Sequence, residues 1–481
     1  MKILVFGSGE FYHRYRYWLE KMDILAILDN DKNKHGLLVD DHVVCSPSEG
    51  IALPFERIYV LGKYRKEMRQ ELLALGVDNE KIHDELDLEN DLKSEIAVSE
   101  PVYIQDQSGK SRDTAWLAQT AENSVVFISQ GLSFSGAHLA LLTIAEIVKG
   151  MGRKVIFVSP EDGPLHNEVI KSGINLVIEP KLLFSNLSGI EWTKSVRMIW
   201  LNTVQMQYLL INRNKEIPVF WWIHEPEMLY TAETVKPFYT IGIDKIDFSN
   251  VHICCVSEIA RKLFLKYYMG NIFQQPEIFM LGVKDICDEE KINRNNEKIK
   301  FAVIGAIERR KGHDILLDAV HALDTIVGGQ CQFLFIGDCG NDSWAQEIRQ
   351  RVELLDNVEL CGPYSRAQIT AMLKNVDAVV VPSRDETLSI VAVEGMMFHK
   401  GVICSDETAI GAATYVRDGK AGILVRPENS DDLADAITWV VTHRDEWNRI
   451  GENGRRVYED YFSISALKKR VQDIMGKVFY G

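Results

Sequence analysis

Short apolar runs recur along the whole chain, each followed by a stretch of helical periodicity. KILVF (2–6), ILAILDND (24–31) and RIYVLG (57–62) open the series. SVVFIS (124–129), KVIFVSP (154–160), INLVI (174–178), RMIWLN (197–202), VFWWIH (219–224) and VHICCVS (251–257) continue it. KFAVIGAI (300–307), QFLFIGD (332–338), VELCG (358–362), AVVVP (378–382) and GVICS (401–405) close it. Near-continuous apolar strands that alternate with helices build parallel sheets covered on both faces. The predicted fold class is therefore α/β.

The 481 residues divide into three such blocks and a tail. Residues 1–95 read as a small Rossmann-like accessory domain, ending in an acidic linker, HDELDLENDLKSE (83–95). Residues 115–285 and 296–460 read as two further Rossmann-like units, joined by a polar hinge, DEEKINRNNEK (288–298). The end is expected to be helical from Ser430 to about Phe479, with residues 461–481 packing back on the second block.

The net charge of −15 argues against a nucleic-acid binder, whose footprint is basic. The eight cysteines form no C-x-x-C pair and sit largely in apolar runs, as reduced cysteines of a cytoplasmic protein do. MKILVFGSGE is not a signal peptide, because glycines interrupt the apolar run. No stretch approaches the ~18 apolar residues that span a bilayer. ARKLFLKYYMGNIF (260–273) mixes cations with aromatics. It is a candidate for peripheral contact at the inner face of a membrane, although a core-packed helix with solvated lysines gives the same pattern.

Open parallel sheets bind ligands beyond the carboxyl ends of their strands, so those ends carry the candidate chemistry. After KFAVIGAI come Glu308, Arg309, Arg310, Lys311 and Gly312, where cations before a helix can neutralise a phosphate. After VELCG comes Gly362-Pro363-Tyr364-Ser365, a turn with Ser365 as a plausible N-cap and backbone groups for a base edge. After AVVVP comes SRDETLSIVAVEG (383–395). Thr387, Leu388 and Ser389 are expected to enter a helix and to offer free amides to a diphosphate. Glu386 and Glu394 flank that turn, and carboxylates are natural acceptors for vicinal hydroxyls. Such separated contacts suit a nucleotide sugar. A loop carboxylate and a helix-surface glutamate explain the same residues without a ligand.

Together these residues resemble the retaining glycosyltransferases of family 4, glycosyl transferases group 1, with the GT-B fold. The resemblance rests on the E-x7-E pair Glu386/Glu394 after V-P-S, on Arg310-Lys311-Gly312, on the G-P-Y-S turn, and on YVRDGKAGILVRPENSDDLADAI (415–437). It covers about residues 120–460. It implies that Glu394 binds the ribose hydroxyls, Glu386 the sugar hydroxyls, and Arg310 and Lys311 the diphosphate. GLSFSGAH (131–138), with Ser135, Gly136 and Ala137 at its core, matches the family's small-residue loop, where acceptor and donor phosphate approach the first helix. WWIHEP (221–226) places His224 where the family has a histidine near the reacting sugar. A structural histidine is the bland alternative, and Trp221 and Trp222 are expected in the core. Ala306 departs from the family, many members of which carry a basic residue there.

The resemblance implies transfer of a sugar from a nucleotide-diphosphate sugar to a glycan, lipid-linked or protein acceptor, in bacterial surface polysaccharide or glycoconjugate synthesis. Anomeric configuration is retained without an evident protein nucleophile, and no cofactor or metal is needed if Arg310, Lys311 and backbone amides neutralise the leaving group. The alternative is a non-catalytic nucleotide-binding or scaffold subunit of a glycosyltransferase complex. The first block resembles small Rossmann-like modules fused to enzymes of surface-polysaccharide synthesis. Its Gly7-Ser8-Gly9 begins a dinucleotide fingerprint with Asp29 downstream, but Tyr12 replaces the third glycine. Asp29-Asn30-Asp31 spells D-x-D, and an acidic turn is its simple reading.

Overall fold

In the computed structural model, all residues are described except 10, 13–14, 16–18, 20–21, 63–64, 85–86, 89, 92–100, 102, 184–186, 232–245, 269–274, 288–296, 341 and 481, and the side chains of 183 and 478–480. The expected hinge at 288–298, most of the linker at 83–95 and the end of the 260–273 stretch lie outside the described residues. The chain packs as two units. One comprises Met1–Asn202, Met206–Val219 and Lys245–Asn250, and the other Thr203–Gln205, Phe220–Asp244 and Val251–Gly481.

The strands form three sheets. The first holds β1 (Lys2–Phe6), β2 (Asp23–Leu28), β3 (Leu38–Val39), β4 (His42–Cys45), β5 (Arg57–Val60) and β6 (Ile82–His83), in the order β3-β4-β2-β1-β5-β6. The chain moves outward from β1 on one side and then on the other, which is the doubly wound pattern. Tyr12, Tyr15 and Leu19 recur at helical spacing and are fully buried against this sheet's core.

The second sheet holds β7 (Tyr103–Gln105), β8 (Val125–Ile128), β9 (Val155–Ser159), β10 (Asn175–Ile178), β11 (Met198–Asn202), β12 (Val219–Ile223), β13 (Val251–Cys255) and β14 (Glu277–Ile278). Its order is β14-β13-β12-β11-β8-β9-β10-β7, with β7 antiparallel on β10. The helix Gly136–Gly150 follows β8. Gly136 and Ala137 belong to its first turn, and Ser135 caps it.

The third sheet holds β15 (Ile299–Ile304), β16 (Cys331–Ile336), β17 (Val358–Gly362), β18 (Ala378–Val381), β19 (Gly401–Ser405) and β20 (Gly422–Val425), all parallel. The order β17-β16-β15-β18-β19-β20 puts the topological switch between β15 and β18, where Phe301 pairs with Ala378 and Ala302 with Val379. Phe301, Val303, Phe333, Phe335 and Ile403 are buried under the helices His313–Ala322 and Ser430–Thr442. Each such side chain contributes roughly 1.5–3 kcal/mol on leaving water.

Two expectations are corrected. The segment 387–389 is not helical: the helix runs Ile390–Met397 with Ser389 as its N-cap at φ 77°. The helical end is broken into Ser430–Thr442, Arg444–Val457 and Ile464–Tyr480, with a wide turn at Tyr458–Phe462. Tertiary contacts cause the last break: the Tyr458 hydroxyl donates to the Val283 carbonyl at 2.8 Å, and the Val283 amide donates to the Phe462 carbonyl at 2.8 Å. Leu467 then lies against Gly282.

Trp221 and Trp222 are fully buried, and their indole N–H groups donate to the Thr203 and Phe279 carbonyls at 2.7 and 2.8 Å. In the helix Glu258–Tyr267, Phe264 is buried against Trp221, and Tyr268 just beyond is buried too. Those aromatics serve the core, not a lipid surface. No helix among the described residues is long and apolar enough to cross a membrane.

Candidate functional site

Two loops leave the sheet at the β15/β18 switch point, and both carry predicted site residues. After β15 the chain makes a tight turn over Arg309–Lys311 and passes through Gly312 at φ 72°. A Cβ at 312 would overlap the Pro382 carbonyl oxygen, so only glycine lets this turn lie against the end of β18. That approach brings Lys311 to Glu386, with which it forms an ion pair. Arg310 sits 3.4 Å from the other oxygen of the same carboxylate. It also donates to the Asp385 carbonyl at 2.9 Å and to Glu308 at 2.8 Å. Burial works against the Arg310 charge, but Glu386 and Glu308 hold its pKa above the ordinary value. His313, next in the turn, is fully buried against Phe335 and Trp344. Burial pushes it down to about 4, so it adds no charge at neutral pH.

The loop after β18 is held on both sides. The Glu386 amide donates to the Ala409 carbonyl at 2.8 Å, and the Gly411 amide to the Glu386 carbonyl at 3.0 Å. The Thr387 hydroxyl donates to the His224 carbonyl at 2.7 Å, and the Ser257 hydroxyl to the Thr387 carbonyl. Asp385 accepts from the Met228 amide at 3.2 Å. Leu388 is buried, and its carbonyl accepts from the Ala412 amide at 2.9 Å. Ser389 accepts from the Ala392 amide at 3.3 Å, which leaves the Ile390 and Val391 amides without a partner inside the helix. A serine at positive φ is a strained choice, and such strain collects at ligand sites. Lys311, Pro382, Ser383, Glu386 and Ser389 line a small cavity there.

Glu394 lies on the helix Ile390–Met397 and is buried, at 4% exposure. Arg366 ion-pairs with it. Burial pushes the Glu394 carboxyl up, and Arg366 pulls it back. Ser365 forms the expected N-cap in a full capping box with Gln368. Tyr364 is half-buried beside Cys361.

His224 ends β12, with its ring 4.2 Å from that of Trp222. Its amide donates to Glu225 at 3.0 Å, and the Val204 amide donates to the other oxygen of Glu225 at 3.0 Å. Burial pushes Glu225 up to about 7, against the pull of these two amides. The structure thus brings His224, Thr387, Glu386, Arg310 and Lys311 into one bonded network. Ser135 and Gly136 are in the other unit, where the Ser135 hydroxyl accepts from the His138 amide at 3.3 Å. Gly131 in the same loop lies against the Glu161 carboxylate, and Phe134 is 59% exposed.

In the first block the start of the dinucleotide motif contacts its own downstream acid. Ser8 and Lys34 both bond the Asp29 carboxylate, Lys34 at 2.9 Å. Burial opposes the charge, but these donors and the Asp31 amide hold Asp29 below its ordinary value. Among the described residues, no group of three His, Cys, Asp or Glu side chains is placed to hold a metal.

The model for glycosyl transferases group 1 matches residues 287–457, and that for glycosyl-transferase family 4 matches 121–240. The chain belongs to the family 4 glycosyltransferases of group 1. A further model, C2185-like N-terminal, matches residues 1–83, which contain the first sheet. An uncharacterized glycosyltransferase of Methanocaldococcus jannaschii is 27% identical over 259 residues, which are 51% of this chain and 65% of the relative. The alpha-D-kanosaminyltransferase of Streptomyces kanamyceticus is 28% identical over 175 residues, 36% of this chain and 45% of the relative. This chain therefore spans between about half and two thirds of the length of these relatives. The crystal structure of Anabaena HepE in complex with UDP and glucose superposes with a TM-score of 0.61 and 17% identity, covering 74% of this chain and all of that one. The architecture is accordingly GT-B, with the first sheet as a separate small module.

Two residues of the candidate site carry no motif. Arg366 follows the G-P-Y-S turn without a distinguishing spacing. Glu225 is one residue past His224, and only burial marks it.

Proposed function

We propose that the protein is a retaining glycosyltransferase that moves a sugar from a nucleotide-diphosphate sugar to a glycan, lipid-linked or protein acceptor. The resemblance of the first block supports a role in bacterial surface polysaccharide or glycoconjugate synthesis. The observation that carries this reading is the arrangement of Glu386 between Lys311 and Arg310, at the switch point and beside the N-terminus of the helix that carries Glu394.

Lys311 and Arg310 both face the Glu386 carboxylate, and Glu308 shares Arg310. A diphosphate is a stronger partner for them, because it brings more charge and more acceptor oxygens. On binding it takes Lys311, Arg310 and the free Ile390 and Val391 amides. The Glu386 oxygens are then released to accept hydroxyls of the attached sugar. Glu394 accepts the ribose hydroxyls. As the bond to the diphosphate breaks, negative charge grows on the phosphate oxygens facing Lys311 and Arg310, and positive charge grows on the sugar beside the Glu386 carboxylate. These contacts are stronger in the transition state than before it, which is what accelerates a reaction. The leaving diphosphate takes the acceptor proton on the same face, so configuration is retained. His224 lines that face, and its backbone is fixed by Glu225 and Thr387. The two cations do the work that a metal does elsewhere.

The test is thermal shift of the protein against UDP, GDP, ADP, dTDP and NAD with EDTA present, repeated on Glu394→Ala. A ligand that binds the folded state raises the melting temperature. One nucleoside diphosphate should stabilise the wild type and not the variant. Stabilisation by NAD alone, or dependence on added manganese, would overturn the reading.

A further inference from the structure

Arg366 occupies the first position of the helix Arg366–Asn375, directly after its Ser365 cap. A helix N-terminus carries a positive partial charge, so acidic residues are favoured there and a cation is not. The capping box with Gln368 already satisfies the helix start. Helix stability therefore gives no reason for an arginine at this position.

Its guanidinium lies on the Glu394 carboxylate. The pair is lopsided: the Arg366 side chain is 54% exposed and that of Glu394 5%. Among the described residues, Arg366 is the one hydrogen-bond and ion-pair partner of that carboxylate. The contact runs from one guanidinium nitrogen, Nη1, to one oxygen, Oε1. A carboxylate has about four acceptor directions, so Oε2 keeps its full capacity. A buried carboxylate with no cation gives up its charge or turns toward solvent, and either change weakens its bonds to hydroxyl donors.

From this geometry we infer that Arg366 is a positioning residue for ribose recognition: it fixes Glu394 through Oε1 so that Oε2 is presented to the ribose hydroxyls. The inference rests on the donor-site reading above. Arg366 need not touch the nucleotide to act in this way. It sets how strongly the site tells a ribonucleotide from its 2′-deoxy counterpart.

The test is titration calorimetry of the full chain with UDP, ADP and GDP, each beside its 2′-deoxy analogue, in the wild type, Arg366→Met, Arg366→Lys, Glu394→Gln and the Arg366→Met/Glu394→Gln double variant. Methionine keeps the length of the side chain and removes the cation. For the nucleotide that binds best, Arg366→Met should weaken the ribo form by about tenfold, the worth of one charge-assisted hydrogen bond. The 2′-deoxy form should weaken much less, so that the ratio between the two collapses. Lysine should restore part of the ratio. In the Glu394→Gln background, adding Arg366→Met should change nothing further. A merely structural role would weaken both forms alike and leave the ratio intact, and that result overturns the inference while the donor site stands. No binding of any of the six nucleotides to the wild type overturns this inference, and if dTDP fails to bind as well the donor-site reading falls with it.

Discussion

Replacing Glu386 by glutamine separates two effects that a loss-of-function variant would merge. The carboxylate is nearly enclosed: the Glu386 side chain is 14% exposed, Lys311 17% and Arg310 22%. Its bond to Lys311 therefore lies toward the strong end of charge-assisted contacts, ~1.5–3 kcal/mol, while Arg310 at 3.4 Å makes a weaker ion pair. A diphosphate must break those bonds before it can use the cations. Glutamine keeps the shape and removes the charge, so Lys311 and Arg310 become freer to receive phosphate. We expect Glu386→Gln to bind the bare nucleoside diphosphate ~3–10-fold more tightly, since only part of the lost ion-pair energy reappears as affinity. Transfer should move the other way. Hydrogen bonds from sugar hydroxyls become neutral, and the positive charge that develops on the sugar loses its nearest carboxylate. Together these cost ~2–4 kcal/mol, or roughly 30- to 1,000-fold in kcat/KM. Calorimetry of the nucleotide and initial rates with the intact sugar donor read the two effects separately. The reasoning is refuted if nucleotide affinity falls in step with turnover, because Glu386 would then be supporting the cations rather than competing for them. Near-normal turnover would remove Glu386 from the site altogether.

Two further perturbations test the scaffold around it. Gly312→Ala should lower the melting temperature and the nucleotide affinity together, because φ is 72° and the added Cβ meets the Pro382 carbonyl; the cost is ~2–4 kcal/mol, and an unchanged melt would show that the turn relaxes freely. Glu225, pushed up to about 7 from 4.5 by burial, gives a pH signature. Between those values the folded state holds a proton that the unfolded state has released, so this group's stabilisation is full below about 4.5 and is lost as pH rises through 7. Glu225→Gln, melted from pH 5 to 8, should show a shallower decline than wild type, by about 3 kcal/mol over the window; parallel curves would place the titration elsewhere.

The fold was legible because the apolar runs are long and buried on both faces. Val125–Ile128, Val155–Ser159 and Ala378–Val381 have every residue buried, and the sequence marks all three. Short, partly exposed strands were not legible. His42–Cys45 and Gly422–Val425 bury only part of their residues, so their composition does not separate them from loops. The helix start at Ser389 was misplaced by a turn because the loop before it is bonded to Ala409, Gly411 and Ala412, contacts between segments about twenty residues apart. The site divides in the same way. Glu386, Lys311 and Arg310 belong to short motifs whose spacing survives in one dimension, whereas their partners are set by the third. Nothing near His224 in the sequence says that its carbonyl meets Thr387, 163 positions away. Nothing in G-P-Y-S-R says that Arg366 meets Glu394, 28 positions on. The second contact follows from strand order. β18 lies beside β15, and β17 lies two strands from β15 on its other side, so the loops after them converge at the switch point however far apart they lie in the chain. Carboxylates that a motif search can find therefore depend on partners that only the sheet order supplies. Varying Arg366 and Glu225, rather than the E-x7-E pair alone, asks whether the site works as one unit.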